Sequence, residues 1–370
     1  MPDVPTAWPW FPAVDPLGPN TPEVINSDAV SKVLDLAIGV LAPTAATSDT
    51  EGVPRSHLDA LAAVGVLGPA YAASEQREIA EILSGADGST WFCWTQHRTP
   101  TEWITNSPND ALRNRWAHRV ATGDALAGVA FAHIRRPGPA SVVATRREGG
   151  WSVSGQLNWV TSWTISDVIA MVAETEDGQL VRFVTEPKRR EGLLADLPLE
   201  LAAMGGTHTC PVQLDKLIVR DADVIDVVDK QSWVSRDAVG TANAAPHLFG
   251  VTRAAAGLLL ATAEERNDAA ARELAIELVE RVRTVRAQAY DLADQPEGHL
   301  DERLHLRSVA LDLASTATTA AVTARSGDAI RLSDPSQRLA REALFYLVQA
   351  QTSSLRTQTL NQWKRRLSLD

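Results

Sequence analysis

The chain has 370 residues, 45% hydrophobic, 22% charged and 5% aromatic, with 46 acidic against 35 basic residues and a formal charge of −11. That length predicts two or three packed units, and the ordinary apolar and charged fractions exclude wholesale disorder. The acidic balance argues against a nucleic-acid binder, the lack of a run near about 18 apolar residues argues against a membrane span, and the lack of a basic-then-apolar leader leads us to expect a cytoplasmic protein.

Residues 1–26 form a Pro-rich arm with seven prolines in the first 22 residues and Trp8, Trp10 and Phe11 between them. Proline at that density forbids a regular helix. From Asp28 the apolar residues Val30, Val33, Leu34, Ala37, Ile38 and Leu41 follow a helical period that ends before Pro43. Further helical patterns lie at 56–64, 74–84, 87–98 and 108–121, so 27–122 reads as an N-terminal helical domain.

From Gly123 the period changes to two. Glu148-Gly149-Gly150 and Glu176-Asp177-Gly178 sit between alternating runs like hairpin turns. The segment 123–228 therefore reads as a small antiparallel β-barrel of roughly six to eight strands. Helical periodicity returns over 229–370, in four long Ala-, Leu- and Arg-rich stretches at about 240–268, 269–294, 300–328 and 335–367, the pattern of a four-helix bundle. The expected architecture is mostly α with a central β domain. Strands and helices are segregated along the chain, which excludes a doubly wound sheet.

Generic motifs are missing: no G-x-G-x-x-G after a strand, no P-loop, no H-E-x-x-H and no G-x-S-x-G. The eight histidines include no i, i+4 pair, and two cysteines, Cys93 and Cys210, make neither a disulfide framework nor a Cys-based zinc site, so no metal is expected. His97 and His208 stand out because each lies beside a domain junction.

Three stretches resemble the acyl-CoA dehydrogenase family, and the resemblance covers about residues 55 to 365. In GQLNWVTSWTISDVIAMVAET, residues 155–175, Trp159 and Thr161 match an aromatic and a threonine that lie against the flavin in that family, with Ser162 next. An indole offers a flat apolar face, and a hydroxyl or backbone N–H tunes the ring's reactive edge. In AGVAFAHIRRPGPAS, 127–141, Pro137, Gly138 and Ser141 match a loop that cradles the flavin and pyrophosphate, which implies roles for Ile134, Arg135 and Ser141. In 326–360, Gly327, Pro335, Arg338, Arg341, Ala343 and Thr352 match the family's last helices, and Glu342 replaces an aspartate.

The resemblance implies FAD as cofactor, bound by Trp159, Thr161, Ser162, Ile134, Arg135, Ser141, Gly327 and Thr352. It also implies an acyl-CoA-like or other small-molecule substrate, and a homodimer or tetramer or a hetero-oligomer with a related subunit. The family's usual catalytic glutamate falls on Ala350, whose methyl group cannot take a proton. The substitute bases this leaves are Glu264, Glu265 and His97. An Arg-x-x-Phe segment that reaches a neighbouring subunit's FAD is also missing, which implies a weaker grip. Three activities are compatible: removal of hydrogen across a CH–CH bond of an acyl thioester, a flavin monooxygenase using donors such as Gln96, His97 or His208, and a non-catalytic half-site subunit whose partner supplies the base.

Overall fold

Ser27 starts the first helix by accepting the Val30 N–H at 3.3 Å, and α1 (Asp28–Leu36) turns Val30 and Val33 inward. In the computed structural model, which describes residues 15–68, 71–295 and 298–367, Pro43 does not end this helix. A π turn over Ala37–Leu41 carries the chain into α2 (Ala42–Glu51), where Pro43 falls in the first turn and its missing N–H is no loss. The helices α3 (Arg55–Ala63), α4 (Ala73–Ala86) and α6 (Asp110–Thr122) lie close to the expected limits. Helix α5 (Gly88–Thr105) continues past the expected end at 98, through Pro100.

Eight strands follow: β1 (Ala127–Ala130), β2 (Val142–Arg147), β3 (Gly150–Val160), β4 (Val168–Glu174), β5 (Gln179–Thr185), β6 (Leu193–Ala195), β7 (Cys210–Arg220) and β8 (Val224–Asp229). Both expected hairpins form, with Gly149 and Gly178 at φ 70° and 78° in their turns. The sheet is mixed where an antiparallel one was expected. Its order is β6-β7-β3-β2-β4-β5-β8, and both β1 and β2 run parallel to β4. The long excursion between β1 and β4 gives the chain room for a crossover, which a tight turn never does.

The C-terminal part has more breaks than the sequence pattern suggested. The stretch expected from 240 is α7 (Lys230–Ala242) and α8 (Pro246–Arg266), with Pro246 opening the second. After α9 (Ala269–Ala293) and α10 (Leu300–Arg325), the expected 335–367 helix is α11 (Pro335–Tyr346) and α12 (Ser353–Arg366). Between them Ala350 takes a left-handed φ of 48°, and the Thr352 side chain caps α12 by accepting the Leu355 N–H at 3.2 Å.

One hydrophobic core joins the two helical parts across the inserted sheet: Ile79 and Leu83 of α4 belong with Phe249 and Leu258 of α8 and Val282 of α9. The sheet keeps its own core around Val153, Met171, Phe183 and Leu214. Helices α4 and α8 approach so closely at Gly250 that a Cβ there would lie 2.1 Å from Ser84 Oγ and 2.3 Å from the Glu81 carbonyl oxygen.

A buried charge network stands at the same crossing. Arg253 of α8, 5% exposed, donates to Asp15 Oδ1 at 2.7 Å and Glu78 at 2.7 Å, and Glu81 accepts from Arg286 at 3.0 Å and from the Tyr290 hydroxyl at 2.6 Å. Arg283 and Arg286 also hold the carbonyls of Pro16, Leu17, Gly18 and Pro19, so the described end of the Pro-rich arm is clamped onto α9. Trp8, Trp10 and Phe11 lie outside the described residues. Arg253→Met leaves Glu78 and Glu81 buried without that counter-charge; a stability loss of about 3–5 kcal/mol is expected in urea unfolding followed by circular dichroism.

Candidate functional site

Near the end of β3 the pairing with β7 is irregular between Leu157 and Val160, which are both buried, and Trp159 between them faces outward, 51% exposed, so an indole face is open to a planar ligand. Beyond it the chain hooks onto the segment before β7. The Ser162 N–H donates to the Thr207 carbonyl at 2.9 Å and the Trp163 N–H to the His208 carbonyl at 3.1 Å. Ser162 and His208 both adopt left-handed φ, 63° and 53°, conformations that cost a non-glycine residue about 1–3 kcal/mol each. The Ser162 hydroxyl is buried against the Cys93 thiol of α5. Nearby Cys93 of α5 is no nucleophile, because burial pushes its thiol up to about 12.

Thr161 ends a chain of three buried threonine hydroxyls. The Thr207 hydroxyl donates to the Met204 carbonyl at 2.8 Å, and Thr207 and Thr209 are 2.8 Å apart, as are Thr209 and Thr161 at 3.1 Å. A carbonyl only accepts, and each hydroxyl has one proton. Thr209 therefore donates to Thr207, and Thr161 donates to Thr209. The Thr161 oxygen keeps only lone pairs for any further partner.

The loop matched at 127–141 is committed elsewhere. The Ile134 N–H donates to the Phe131 carbonyl at 3.0 Å, and its side chain is buried with Val172 and Leu180. Arg135 forms a two-pronged ion pair with Asp237 of α7, both bonds at 2.7 Å, and stacks on Phe131. Its guanidinium is therefore not free for a pyrophosphate. Ser141 is exposed, and its carbonyl accepts from the Gln156 N–H at 3.2 Å.

The C-terminal candidates fall in two places. Ala350 and Thr352 lie in the turn after α11, beside the start of α8, since Tyr346 and His247 rings are 4.5 Å apart. Gly327 sits in an exposed turn at the opposite end of α8, where Arg266 reaches the Ala324 carbonyl and Ser326. Glu264 and Glu265 are exposed at that same far end, roughly 25 Å of helix away from His247 at about 1.5 Å per residue. Neither stands in for the carboxylate that Ala350 lacks.

The singled-out histidines are struts. His97 accepts the Ala127 N–H on Nδ1 at 2.9 Å, and its Nε2 meets the Val120 carbonyl at 2.9 Å, which fixes the Nε2–H tautomer. Burial pulls it down to about 4, against weaker support from those backbone bonds. His208 bridges the Val53 carbonyl at 2.9 Å and the Thr164 hydroxyl at 2.6 Å. Both rings have both nitrogens engaged, so neither serves as a catalytic base or a free donor. Gln96 is half-buried on α5.

The sequence pattern missed a row of aromatic contacts along α5. Phe92, Gln96, Thr99 and Trp103 are half-buried at one helical face. Phe345 meets Phe92 at one end, 5.0 Å between centroids; Phe131 meets Trp103 at the other, 5.6 Å, with Trp233 against Phe131 at 5.9 Å. At the Trp103 end a cleft of about 440 Å³ is lined by Trp103, Trp233, Arg182, Asp226, Arg236 and Asp237. These residues come from four elements, and no local spacing links them.

At the other end Glu342 accepts from Arg338 and from the Gly88 N–H at the start of α5, tying α11 to α5. Burial raises Glu342 to about 7, with Arg338 opposing the rise and Asp49 adding to it.

No family model and no curated protein matches the chain. Solved structures do. Glutaryl-CoA dehydrogenase from Mycobacterium smegmatis in complex with FADH2 matches at a TM-score of 0.77 and 16% identity, over 92% of this chain and 95% of that one. Butyryl-CoA dehydrogenase from Megasphaera elsdenii matches at 0.72 and 14%, over 91% and 97%. PigA in its FAD complex matches at 0.72 and 15%, over 92% and 97%. The chain has the acyl-CoA dehydrogenase fold.

His97→Leu removes the partner of both the Ala127 N–H and the Val120 carbonyl, and a loss of about 2–4 kcal/mol is expected at pH 7. The unfolded imidazole protonates near 6.5 and the folded one only near 4, so the native protein loses stability as pH falls through that window. Urea midpoints for His97→Leu should fall less steeply from pH 6.5 to 4 than those of the natural chain.

Proposed function

We propose that the protein is a flavin-dependent oxidoreductase of the acyl-CoA dehydrogenase type, cytoplasmic and assembled as a homodimer or tetramer, acting on the CH–CH bond of an acyl thioester or a related small molecule. The observation that carries this reading is the exposed Trp159 indole at the end of β3, beside the buried Thr161 and Ser162 hydroxyls, in a chain with this fold. A flavin fits that edge. Trp159 would take a ring face, and the lone pairs of Thr161 would accept from an N–H of the ring. Ile134 and Arg135 do not fit the cradle expected of them, because their backbone and side-chain groups are already bonded.

When bound, the flavin supplies hydride acceptance, which no side chain provides. The chain's own part is to orient the substrate against this face of α5, where the Phe92–Phe345 and Trp103–Phe131 pairs offer apolar surface at its two ends. Proton removal is the weak point, since Ala350 carries no acid–base group. That residue favours a second reading, in which the chain is the half-site subunit of a heteromeric enzyme. The monooxygenase alternative loses two of its three donors, since His97 and His208 are engaged on both nitrogens.

The visible spectrum of the purified chain with added FAD decides between these readings. A flavin band that bleaches on addition of an acyl-CoA is expected, and Trp159→Ala should weaken flavin binding about tenfold, the loss of one stacking contact. Unchanged flavin affinity in Trp159→Ala would remove the site assignment, and a flavin band that no acyl-CoA bleaches would favour the half-site reading.

A further inference from the structure

Four polar atoms, one on each of four helices, are buried without a hydrogen-bond partner: Trp91 Nε1 on α5, His247 Nε2 on α8, Arg307 Nε on α10 and the Tyr346 hydroxyl on α11. Three of their side chains form one contact group. Ring centroids are 4.5 Å apart for Trp91 and His247, 4.5 Å for His247 and Tyr346, and 5.5 Å for Trp91 and Tyr346. Arg307 neighbours this group: it donates to the Gln349 carbonyl, three residues beyond Tyr346, at 2.9 Å, and its charge adds to the burial that holds His247 well below its ordinary range.

Arg307 is 2% exposed, and among the described residues no carboxylate pairs with it. Its terminal nitrogens donate to the Thr241 carbonyl at the end of α7 and to the Gln349 carbonyl at 2.9 Å, in the turn that carries Ala350. Carbonyls at helix ends offset part of a positive charge. A buried guanidinium without a counter-ion is still costly, and burial with the charge of Arg135 pulls it down to about 10. Glu342, the carboxylate next to Tyr346, pairs with Arg338 through Oε1, and its Oε2 is buried without a hydrogen-bond partner.

Buried polar atoms in native proteins are almost always satisfied. Here the open positions on Trp91, His247, Arg307 and Tyr346 are biased to donors, with Glu342 Oε2 the acceptor beside them. An indole N–H and a guanidinium N–H only donate, a tyrosine hydroxyl donates readily, and a neutral imidazole donates from Nε2 in one tautomer. Such a set, around an arginine that no carboxylate pairs with, selects an acceptor-rich anion. We propose that Arg307, His247, Tyr346 and Trp91 form a site for the carboxylate of a small organic acid. Phe92 and Phe345 stand on its half-buried side, in contact with Trp91 and Tyr346. The inference uses these side chains alone and does not depend on a bound flavin.

The test is calorimetric titration of the full chain, without added flavin, with butyrate and with n-butanol, its uncharged counterpart of equal length. Butyrate is expected to bind and butanol not. Tyr346→Phe, which keeps the ring and removes only the hydroxyl, should weaken butyrate about tenfold, the loss of one hydrogen bond to a charged group. Arg307→Met should abolish binding and Arg307→Lys should retain part of it. Should the arginine variants fail to fold by circular dichroism, Tyr346→Phe and Trp91→Phe carry the test. Absence of butyrate binding at millimolar concentration, equal binding of butanol, or full affinity in both Tyr346→Phe and Trp91→Phe would overturn the proposal.

Discussion

The crossing of α4 and α8 at Gly250 is the constraint on which the rest of the molecule depends. Two helical segments separated by a whole sheet must pack as one body, and they do so where a glycine lets the backbones approach and where Arg253 and Arg286 hold the carboxylates of Glu78 and Glu81. Apolar burial supplies most of the attraction there. The ion network adds a requirement of geometry, because each buried charge is tolerated only while its partner is in place. That fixes the rotation and height of α8 against α4, and with it the position of His247 at the head of α8.

The sheet is fastened to this body by a hydrophobic layer, in which Ile104 of α5 and Trp116 and Val120 of α6 pack on Val129, Val168 and Val184, and by polar hooks. His97 ties α5 to α6 and to β1, His208 ties the segment before β7 to the turn after α2, and Arg135 ties the loop after β1 to α7. Each replaces a feature that the resemblance would have made functional. The histidines are neutral bridges between backbone groups, and the arginine answers an aspartate. Residue types that are reactive in isolation become structural once both ends of their hydrogen-bonding capacity are taken up. What remains open is the Trp159 face on one side and the unpartnered group around His247 on the other.

The absence of a carboxylate at position 350 reshapes the chemistry of the turn after α11. Ala350 still takes the left-handed conformation there, and Arg307 still grips the carbonyl of Gln349 beside it. The turn presents a methyl group there, with no acid–base function. The positive charge behind it is left without a negative counterpart.

Periodicity and turn chemistry in the sequence determined the order of the parts: helices to about residue 122, strands to about 228, and helices again, with both glycine hairpins where they were expected. These are local properties, set by side-chain spacing of 3.6 or 2 residues and by positive φ in the turns. Local pattern did not turn Trp159 outward: alternation from buried Leu157 would face it inward, and the irregular pairing of β3 with β7 reverses that. Nor did local pattern determine the breaks at 243–245 and 347–352 or the passage through Pro43, where packing and capping decide between continuing and stopping a helix. Only the tertiary structure decided that β1 and β2 run parallel to β4, that Glu264, Glu265 and Gly327 lie a helix length from Ala350, and that Trp91, His247, Arg307 and Tyr346 meet. Those outcomes depend on which distant segments share a core, and no spacing along one stretch of chain encodes them.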